Sequence, residues 1–260
     1  HGGEKTEGLI DESIRHAITK MSHIHFTSTE DYKKRVVQLG ENPSNVYNVG
    51  ALGIDNIMQL ELLNKKDFES SIGAKLKKHN LLVTYHPVTL EKDFGDKHID
   101  SLLSVLDKYQ DTLIIFTLAN ADMGGRKINE KIKKFVLKNS TFSIFFSSLG
   151  QLRYLSALQF IDGVIGNSSS GIIEVPSFKI GTVNIGNRQA GRIQASSVIN
   201  CDSSVSGIET AIKTLYSKKF QTKVKSTKNP YGQGGTAKKI IKVLNKTSPA
   251  ELLIKQFIDA

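Results

Sequence analysis

Short apolar runs recur along the chain, and each run ends in turn-forming residues. Most of these runs are continuous rather than alternating with polar residues, and they are rich in Val, Ile and Phe. Strands that are buried on both faces of a parallel sheet have this pattern. The predicted strands cover residues 23–28, 45–50, 80–87, 111–120, 141–148, 160–169, 181–187 and 196–202.

Stretches with helical periodicity separate these strands. They cover residues 11–21, 29–40, 97–110, 127–138, 150–158, 171–178 and 205–218. Because strand and helix alternate along the whole chain, the pattern predicts an α/β fold with doubly wound parallel sheets. A chain of 260 residues is long enough for one large domain or two smaller ones.

Two polar joints divide the chain. The stretch 62–80 is helical in character and contains no predicted strand, so we place a domain boundary near 57–75. The second joint, 218–237, is rich in Gly and Lys, and two short helices are expected between it and Ala260. Residues 1–57 offer about two strands and two helices, too few to close a core. We therefore expect this unit to be the back part of another α/β domain.

Composition narrows the class of protein. Apolar residues make up 39% of the chain and charged residues 23%, as in ordinary globular proteins. A single cysteine, Cys201, excludes an internal disulfide and favours the reducing cytoplasm. No apolar run approaches the ~20 residues of a membrane span, and the start of the chain lacks the pattern of a signal peptide.

A net charge of +10 raises nucleic acid as a partner. The lysines, however, are scattered along helical stretches and do not alternate with aromatic residues as a stacking platform requires. We therefore expect solvated helix faces, a mild attraction for anionic ligands, and no nucleic-acid partner.

Candidate binding residues follow one of the later strands. In open α/β sheets, ligands bind beyond the carboxyl ends of the strands. The sequence "GNSSSGIIEVPSF" places Ser168, Ser169 and Gly171 in a turn that opens a helix, where free N–H groups suit a phosphate. Glu174 lies one turn further and can accept hydrogen bonds from a ribose diol. A Ser N-cap with Glu174 completing a capping box explains these residues equally well.

Other strand ends carry polar residues as well. Arg188 and Arg192 lie in "GNRQAGR", where the planar guanidinium group suits a diphosphate, although both could be exposed loop arginines. His86 precedes a proline and is either a phosphate donor or general acid, or a simple turn residue. Asn120 and Asp122 follow the next strand and could bind a ligand or only form a turn.

The first segment, "HGGEKTEGLIDESIRH", is dense in carboxylates. Glu4 follows two glycines, which let the backbone approach a ligand closely. Asp11 or Ser13 could cap the helix that carries Arg15 and His16. Carboxylates in a closed cleft can act as general base and general acid. Surface acids in an exposed loop are the alternative explanation.

The histidines do not suggest a metal site. His1, His16, His23 and His25 form no H-x-x-x-H pair on one helix with a supporting carboxylate, so we expect no bound metal. His23 and His25 are predicted on the same face of a strand, where packing is the usual role.

Several motifs together resemble one enzyme family. They are "HGGE", "IDESIRHAITKMSHIHF", "YHPVT", "GNSSSGIIEVPSF", "GNRQAGR" and "NPYGQGGTAKKI". The chain resembles, over its whole length, the hydrolysing UDP-N-acetylglucosamine 2-epimerases of sialic acid biosynthesis and their relatives that act on UDP-diacetylbacillosamine in legionaminic acid biosynthesis.

The resemblance implies a GT-B-like architecture of two Rossmann-like domains with the first one incomplete. Residues 1–60 would be the C-terminal remnant of the first domain, 61–243 the UDP-binding domain, and 244–260 a helix crossing back to the first domain. Family members begin well before the position of His1, with a Gly/Arg loop and an additional catalytic Asp. We therefore expect a truncated and weakly active chain.

The resemblance also implies a mechanism. A base removes the proton at C2 of the sugar, UDP leaves from C1, and water adds to the glycal-like intermediate with inversion at C2. Glu4 and Asp11 would be the acid/base carboxylates, and His86 would stand near the diphosphate.

The implied UDP site lies in the second unit. Ser168 and Ser169 would hold phosphate, Glu174 the ribose hydroxyls, and Arg188 the diphosphate. Asn120 and Gly171 would line the pocket, the backbone of Leu149 would meet the uracil, and Gly232–Gly235 would lie near the cleft. The expected partners are UDP, a UDP-amino sugar and a second copy in a homodimer, and no cofactor is expected.

Three alternatives remain open. A non-hydrolysing epimerase would keep the sugar on UDP, but "YHPVT" stands where that branch has an "HRRE"-like stretch. An inactive UDP-binding module would bind without turnover. A basic nucleic-acid binder would show steep salt dependence.

Overall fold

The computed structural model describes residues 2–7, 11–88, 96–120, 123–252 and 254–259. Its first unit is a two-stranded parallel sheet with helices beside it. The elements are α1 (Glu12–Met21), β1 (His25–Thr27), α2 (Glu30–Gln38), a 3-10 turn (Pro43–Asn45), β2 (Val46–Asn48) and α3 (Leu52–Gln59).

The second unit contains a parallel sheet with six strands in the described ranges. Its elements are α4 (Lys65–Ile72), β3 (His79–Thr84), α5 (Asp96–Leu106), β4 (Thr112–Thr117), α6 (Gly125–Lys138), β5 (Ser143–Phe146), α7 (Gly150–Ala157), β6 (Gly163–Gly166), α8 (Ser170–Ile173), a 3-10 turn (Val175–Phe178), β7 (Gly181–Ile185), β8 (Val198–Cys201) and α9 (Val205–Tyr216). The chain ends with α10 (Lys218–Lys225), α11 (Thr236–Leu244) and a 3-10 turn (Pro249–Leu252).

The strand order is β5-β4-β3-β6-β7-β8. The chain winds outward from β3 to β5 and then returns to pair β6 with the other side of β3. Thr84 is therefore opposite Thr117 of β4 and Gly166 of β6. This reversal is a topological switch point, where the strand ends of open α/β sheets form a crevice.

Two apolar clusters cover the two faces of this sheet. Leu81 and Val83 belong to the cluster under α5, α6 and α9, whereas Leu82 packs with Phe68 of α4 and Leu155 of α7. Successive strand residues point to opposite faces, so the central part of a strand that is buried on both faces is mostly apolar at consecutive positions. This explains the continuous runs, and all eight predicted strands are confirmed within a few residues at their ends.

Two helices differ from the prediction. The pattern analysis predicts no helix over 52–59, where α3 forms, and treats 218–237 as a polar joint, although α10 occupies its first part. Ser217 caps α10 by accepting from Phe220 N, and the helix buries Phe220 and Val224 at i and i+4 spacing. Both signals are present in the sequence, but the four lysines and one glutamine of this helix make the stretch read as polar.

Buried polar contacts join the two units. The hydroxyl groups of Tyr32 and Tyr231 lie 3.0 Å apart, and Ile193 N donates to the Tyr32 hydroxyl at 3.2 Å. Asp55 of α3 caps α11 by accepting from Thr236 N at 2.9 Å. Two glycines before α11 pack against the first unit: a Cβ on Gly232 would lie 3.5 Å from Gly50 Cα, and a Cβ on Gly234 would lie 3.0 Å from Met58 Cγ. The predicted domain limits remain a prediction, but the helix expected over 244–260 is wrong: α11 ends at Leu244, and among the described residues only a 3-10 turn, Pro249–Leu252, follows it.

Among the described residues, every helix is too short or too polar to cross a lipid bilayer.

Candidate functional site

The carboxyl ends of β3, β4 and β5 open into a cavity of about 400 Å³, called here the strand-end pocket. Three residues predicted from the sequence line it: His86, Leu149 and Glu174. The lining also includes Thr84, Thr117, Leu118, Ser147, Ser148, Gly150, Gln151, Tyr154 and Leu155. Its volume lies in the range of small-molecule sites, and its position is the switch point of the sheet.

The loop before α7 forms one wall of the pocket. Leu149 is the N-cap of α7 and is buried, and Gly150 follows it with a φ of 66°. Arg153 Nε donates to Leu149 O at 2.8 Å, which fixes the loop. The wall therefore presents the backbone and the Ser148 hydroxyl group at the start of a helix, where donors are available.

Two consecutive hydrogen bonds, from Tyr154 through Ser170 to Glu174, orient the Glu174 carboxylate and are called here the Tyr154 relay. The Tyr154 hydroxyl lies 2.5 Å from Ser170 Oγ, and Ser170 Oγ donates to Glu174 Oε2. Burial raises the pKa of Glu174, and the hydrogen bond from Ser170 opposes that rise. Burial likewise raises the pKa of the Tyr154 phenol. The relay thus fixes a carboxylate at the pocket wall.

The capping-box alternative for this turn is wrong. Ser169 is the N-cap of α8, yet its backbone is helical and its side chain makes no cap hydrogen bond. Glu174 instead packs against the first unit, because a Cβ on Gly53 would lie 3.2 Å from Glu174 Oε1.

Ser168 and Gly171 are placed differently from each other. Ser168 lies in the turn after β6, where Ser170 N donates to its hydroxyl at 3.4 Å. Gly171 is buried against β7: a Cβ there would lie 2.7 Å from Thr182 Cγ2, and Thr182 Oγ1 donates to Gly171 O at 2.8 Å. The glycine is therefore explained by close packing of α8 on the sheet.

Asn167 ties three strand ends together. Its side chain accepts from His86 N at 2.7 Å and donates to His86 O at 2.8 Å. Its carbonyl oxygen accepts from Arg188 Nη1 at 3.2 Å and from Gln189 Nε2 at 2.8 Å. Arg188 Nε also donates to Pro87 O at 3.2 Å. The sequence analysis assigns no role to Asn167 or Gln189.

The exposed-arginine alternative is wrong for Arg188, because its side chain is buried in this network. The loops after β3, β6 and β7 are locked around a guanidinium group. A positive charge therefore lies beside His86 and the serine turn, which is the arrangement that a diphosphate requires.

His86 and Asn120 meet above the sheet. His86 Nδ1 lies 3.2 Å from Asn120 Oδ1, because β3 and β4 pair side by side and their carboxyl ends are adjacent. Asp122 lies outside the described residues.

A second polar site surrounds Glu4. Its Oε2 lies 3.4 Å from Arg15 Nη1 and 3.1 Å from Arg192 Nη2, and the three side chains are only 10–13% exposed. The surface-acid alternative is therefore wrong for Glu4. Arg192, predicted beside Arg188, instead forms an ion pair with Glu4. The two arginines of one loop therefore belong to different sites.

Asp11 lies at the edge of this site. Its Oδ2 is 3.3 Å from Arg15 Nε, and its side chain is 49% exposed. Asp11 occupies the predicted N-cap position of α1 but makes no side-chain cap hydrogen bond, whereas Ser13 lies within α1. Arg15 thus bridges the two carboxylates that the family resemblance singles out.

Glu12 was missed by the sequence analysis. It accepts from Thr6 N at 2.7 Å and from Arg15 Nη2 at 2.6 Å. Burial opposes its ionisation, but the hydrogen bonds from Thr6 and the charge of Arg15 hold its pKa below the ordinary value. The i, i+3 spacing of Glu12 and Arg15 was the available signal.

His23 and His25 do not share a site. His25 is buried with Nε2 at 2.9 Å from Glu41 Oε2, whereas His23 precedes β1 and is exposed, so their predicted placement on one strand face is wrong. In the described ranges, no group of three or more His, Cys, Asp or Glu side chains could hold a metal ion.

Comparisons with known proteins give a consistent result. The chain is 46% identical over 259 residues to a GDP/UDP-N,N'-diacetylbacillosamine 2-epimerase (hydrolyzing) from Campylobacter jejuni, covering 99% of the chain and 67% of that protein. It is 45% identical over 232 residues to the polysialic acid biosynthesis protein P7 of Escherichia coli, covering 89% of the chain and 59% of that protein. The chain thus spans about two thirds of the length of the curated relatives that it matches.

The fold has a clear counterpart. The crystal structure of a UDP-GlcNAc 2-epimerase from Neisseria meningitidis, bound to UDP-GlcNAc, aligns with a TM-score of 0.81 at 18% identity, over 95% of this chain and 68% of the other. At this identity the likeness shows the fold alone, and it confirms the predicted GT-B-like α/β architecture. The family model for UDP-N-acetylglucosamine 2-epimerase matches residues 1–245. The chain belongs to the UDP-N-acetylglucosamine 2-epimerase family.

Proposed function

We propose that this chain is a hydrolysing UDP-sugar 2-epimerase, which converts a UDP-linked 2-acetamido sugar to UDP and the free manno-configured sugar. One observation carries the proposal. The strand-end pocket, at the switch point of the six-stranded sheet, is joined through the loop after β7 to the carboxylate site around Glu4. One site has the features of a nucleotide site and the other those of an acid/base site.

The nucleotide half follows from the pocket walls. The uracil would lie against the backbone at Leu149, where the start of α7 offers N–H donors. Glu174, oriented by Ser170, would accept hydrogen bonds from the ribose hydroxyls. The diphosphate would lie between Ser168, Ser169 and the buried charge of Arg188, with Asn120 and His86 beside it.

The chemical half follows from the carboxylates. Glu4, fixed between two guanidinium groups, would take the proton from C2. The electron pair would form a C1–C2 double bond while UDP leaves with the C1–O pair, and His86 would stabilise the leaving phosphate. Hydration would then place hydroxyl on C1, and a proton would return to C2 on the opposite face, with Asp11 as the second carboxylate.

Titration and product analysis test the proposal together. UDP is titrated into the chain by calorimetry, and the chain is then incubated with UDP-N-acetylglucosamine. The expected products are UDP and free N-acetylmannosamine. Binding of UDP without turnover would favour an inactive binding module, and an epimerised UDP-sugar would favour the non-hydrolysing reaction. Failure to bind UDP would contradict the proposal.

A further inference from the structure

A second cavity, called here the apolar pocket, lies beside Glu4 in the first unit and has a volume of about 290 Å³. Most of its wall is hydrocarbon. The residues used below are Glu4, Phe26, Ser28, Val49, Leu52 and Ile240. A cavity of this size is at the lower limit for a complete small-molecule site, so it suits one substituent of a larger ligand.

The apolar pocket and the strand-end pocket share a wall. Leu52, at the start of α3, lines the apolar pocket. The next residue, Gly53, packs against Glu174, which lines the strand-end pocket, and a Cβ on Gly53 would lie 3.2 Å from Glu174 Oε1. The first turn of α3 therefore separates the two pockets, and a ligand in the strand-end pocket lies close to the apolar pocket.

Two polar groups face this apolar surface. The Ser28 hydroxyl oxygen is buried and, within the described part of the chain, has no hydrogen-bond partner. A buried hydroxyl group of this kind needs a partner from outside the protein. The ion pairs of Glu4 with Arg15 and Arg192 both involve Oε2. The pocket thus combines an apolar cup, one unused hydroxyl group and one fixed carboxylate.

The wall formed by α11 is rigid. Asp55 accepts from Thr236 N at 2.9 Å and from Ala237 N at 2.7 Å, which clamps the first turn of α11 onto α3. Thr236 Oγ1 also donates to Val49 O at 3.1 Å. Ile240 is one turn further along α11, so its position in the wall is set before any ligand enters.

We propose that the apolar pocket binds the C2 acetamido group of the UDP-linked sugar. The methyl group would pack on Phe26, Val49 and Ile240, and the amide would bond to Ser28, whose hydroxyl group can donate or accept. This inference rests on the proposed function. It has a mechanistic consequence: the acetamido group is attached to C2, so seating it here brings the proton that must be removed next to Glu4.

The test compares three ligands on matched variants of the full chain. Ile240→Trp fills the pocket from one helix, and Ile241→Trp places the same side chain at the neighbouring position, which is 55% exposed and does not line the pocket. Dissociation constants are measured for UDP, UDP-glucose and UDP-N-acetylglucosamine, with UDP release followed in parallel to separate turnover from binding. UDP-glucose has no acetamido group.

In Ile240→Trp, affinity for UDP-N-acetylglucosamine should fall by about tenfold or more, as for a poorly fitting group in an apolar pocket. Affinities for UDP and UDP-glucose should stay within about twofold, and Ile241→Trp should match the unmodified chain. Ser28→Ala, a smaller change that preserves the fold, should weaken UDP-N-acetylglucosamine alone by about threefold to tenfold, the worth of one hydrogen bond.

Other results overturn the inference. Equal weakening of all three ligands by either variant would show a general perturbation rather than an acetamido site. Unchanged binding of UDP-N-acetylglucosamine in both variants, with normal UDP binding, would exclude the pocket as an acetamido site and leave the proposed function standing. If the unmodified chain binds no UDP, the proposed function fails and the inference fails with it.

Discussion

The two candidate sites are held together in different ways. The strand-end pocket is surrounded by loops of one sheet, which Asn167 ties through backbone and amide hydrogen bonds. The site around Glu4 is assembled by ion pairs between segments far apart in the sequence, residues 4, 15 and 192. The first is a property of the sheet, whereas the second exists only when α1 and the loop after β7 meet. A change in one site should therefore separate binding from chemistry.

The largest effect is expected in the carboxylate site. Glu4→Gln keeps the shape of the side chain but removes the base, so turnover should fall by about 100-fold or more while UDP affinity stays within about twofold. Glu7→Gln, at a 57% exposed residue paired with Lys5, is the matched control and should turn over normally. Steady-state rates and calorimetry give the two readouts. Equal loss of binding and turnover would mean that the two sites are not separable.

A change beside the strand-end pocket should instead lower stability and UDP affinity. Asn167→Leu removes the amide contacts of a fully buried side chain and leaves the backbone of His86 without those partners. Unfolding free energy should fall by about 3 kcal/mol, since each unsatisfied buried group costs about 1–3 kcal/mol. Thermal melts and UDP titration measure the loss. Asn187→Leu, at an exposed position in the loop after β7, is the control. Equal losses of stability in the two variants would show that the hydrogen bonds of Asn167 do not hold the strand-end loops together.

Glu174 gives the strand-end pocket a pH dependence. Its pKa is raised by burial, so the protein takes up a proton there at a higher pH than an ordinary Glu, whose pKa is 4.5. The folded protein is therefore stabilised as pH falls through this raised pKa, whereas UDP binding, which needs the ionised carboxylate, weakens. As the pH is lowered, affinity for UDP should begin to fall at a pH above the ordinary titration range of Glu. Glu174→Gln should remove that dependence. A flat profile in the unmodified chain would contradict the role of Glu174.

The Tyr154 relay sharpens the same point. Tyr154→Phe removes the hydroxyl group that contacts Ser170, and UDP affinity should fall by about threefold to tenfold, the worth of one hydrogen bond. Affinity for 2',3'-dideoxy-UDP should not change, because that ligand has no ribose diol for Glu174 to bind. An equal loss of affinity for both nucleotides would show that Tyr154 contributes only packing and does not act through Glu174.

The smallest effect is expected where the final segment contacts the first unit. Lys255 Nζ lies 2.8 Å from Glu41 Oε2 and donates to Lys20 O at 2.7 Å. Burial opposes ionisation of Glu41, but hydrogen bonds from Lys20, Lys255 and His25 hold its pKa low. This contribution to stability is present above the ordinary pKa and is lost as pH falls through the lowered one.

Lys255→Met should therefore cost about 1 kcal/mol at neutral pH and less in acid. Lys246→Met, at an exposed position beyond α11, is the control, and urea unfolding at two pH values measures the difference. A cost that does not depend on pH would exclude the ion pair as its source.

Sequence reasoning succeeded where one physical cause dominates. The central residues of strands such as β3, Leu81–Val83, are apolar because they are buried on both faces of the sheet, and ligand sites of such sheets lie at the strand ends. His86 and Glu174 could therefore be located in advance from the strand ends, whereas Leu149 is implied only by the family resemblance. Arg188 and Arg192 could not be told apart, because their roles depend on where residues 2–7 pass the loop after β7. The same holds for Asn167, whose side-chain partner His86 lies 81 residues away in the sequence.

One measurement tests the central claim most directly. The chain is incubated with UDP-N-acetylglucosamine in D₂O, and the sugar is followed by NMR. Removal of the C2 proton by a carboxylate and its return from solvent predict UDP and N-acetylmannosamine with one deuterium at C2, absent in Glu4→Gln. Release of the free sugar with its original C2 proton retained would contradict the account, because no base at C2 would then be part of the reaction.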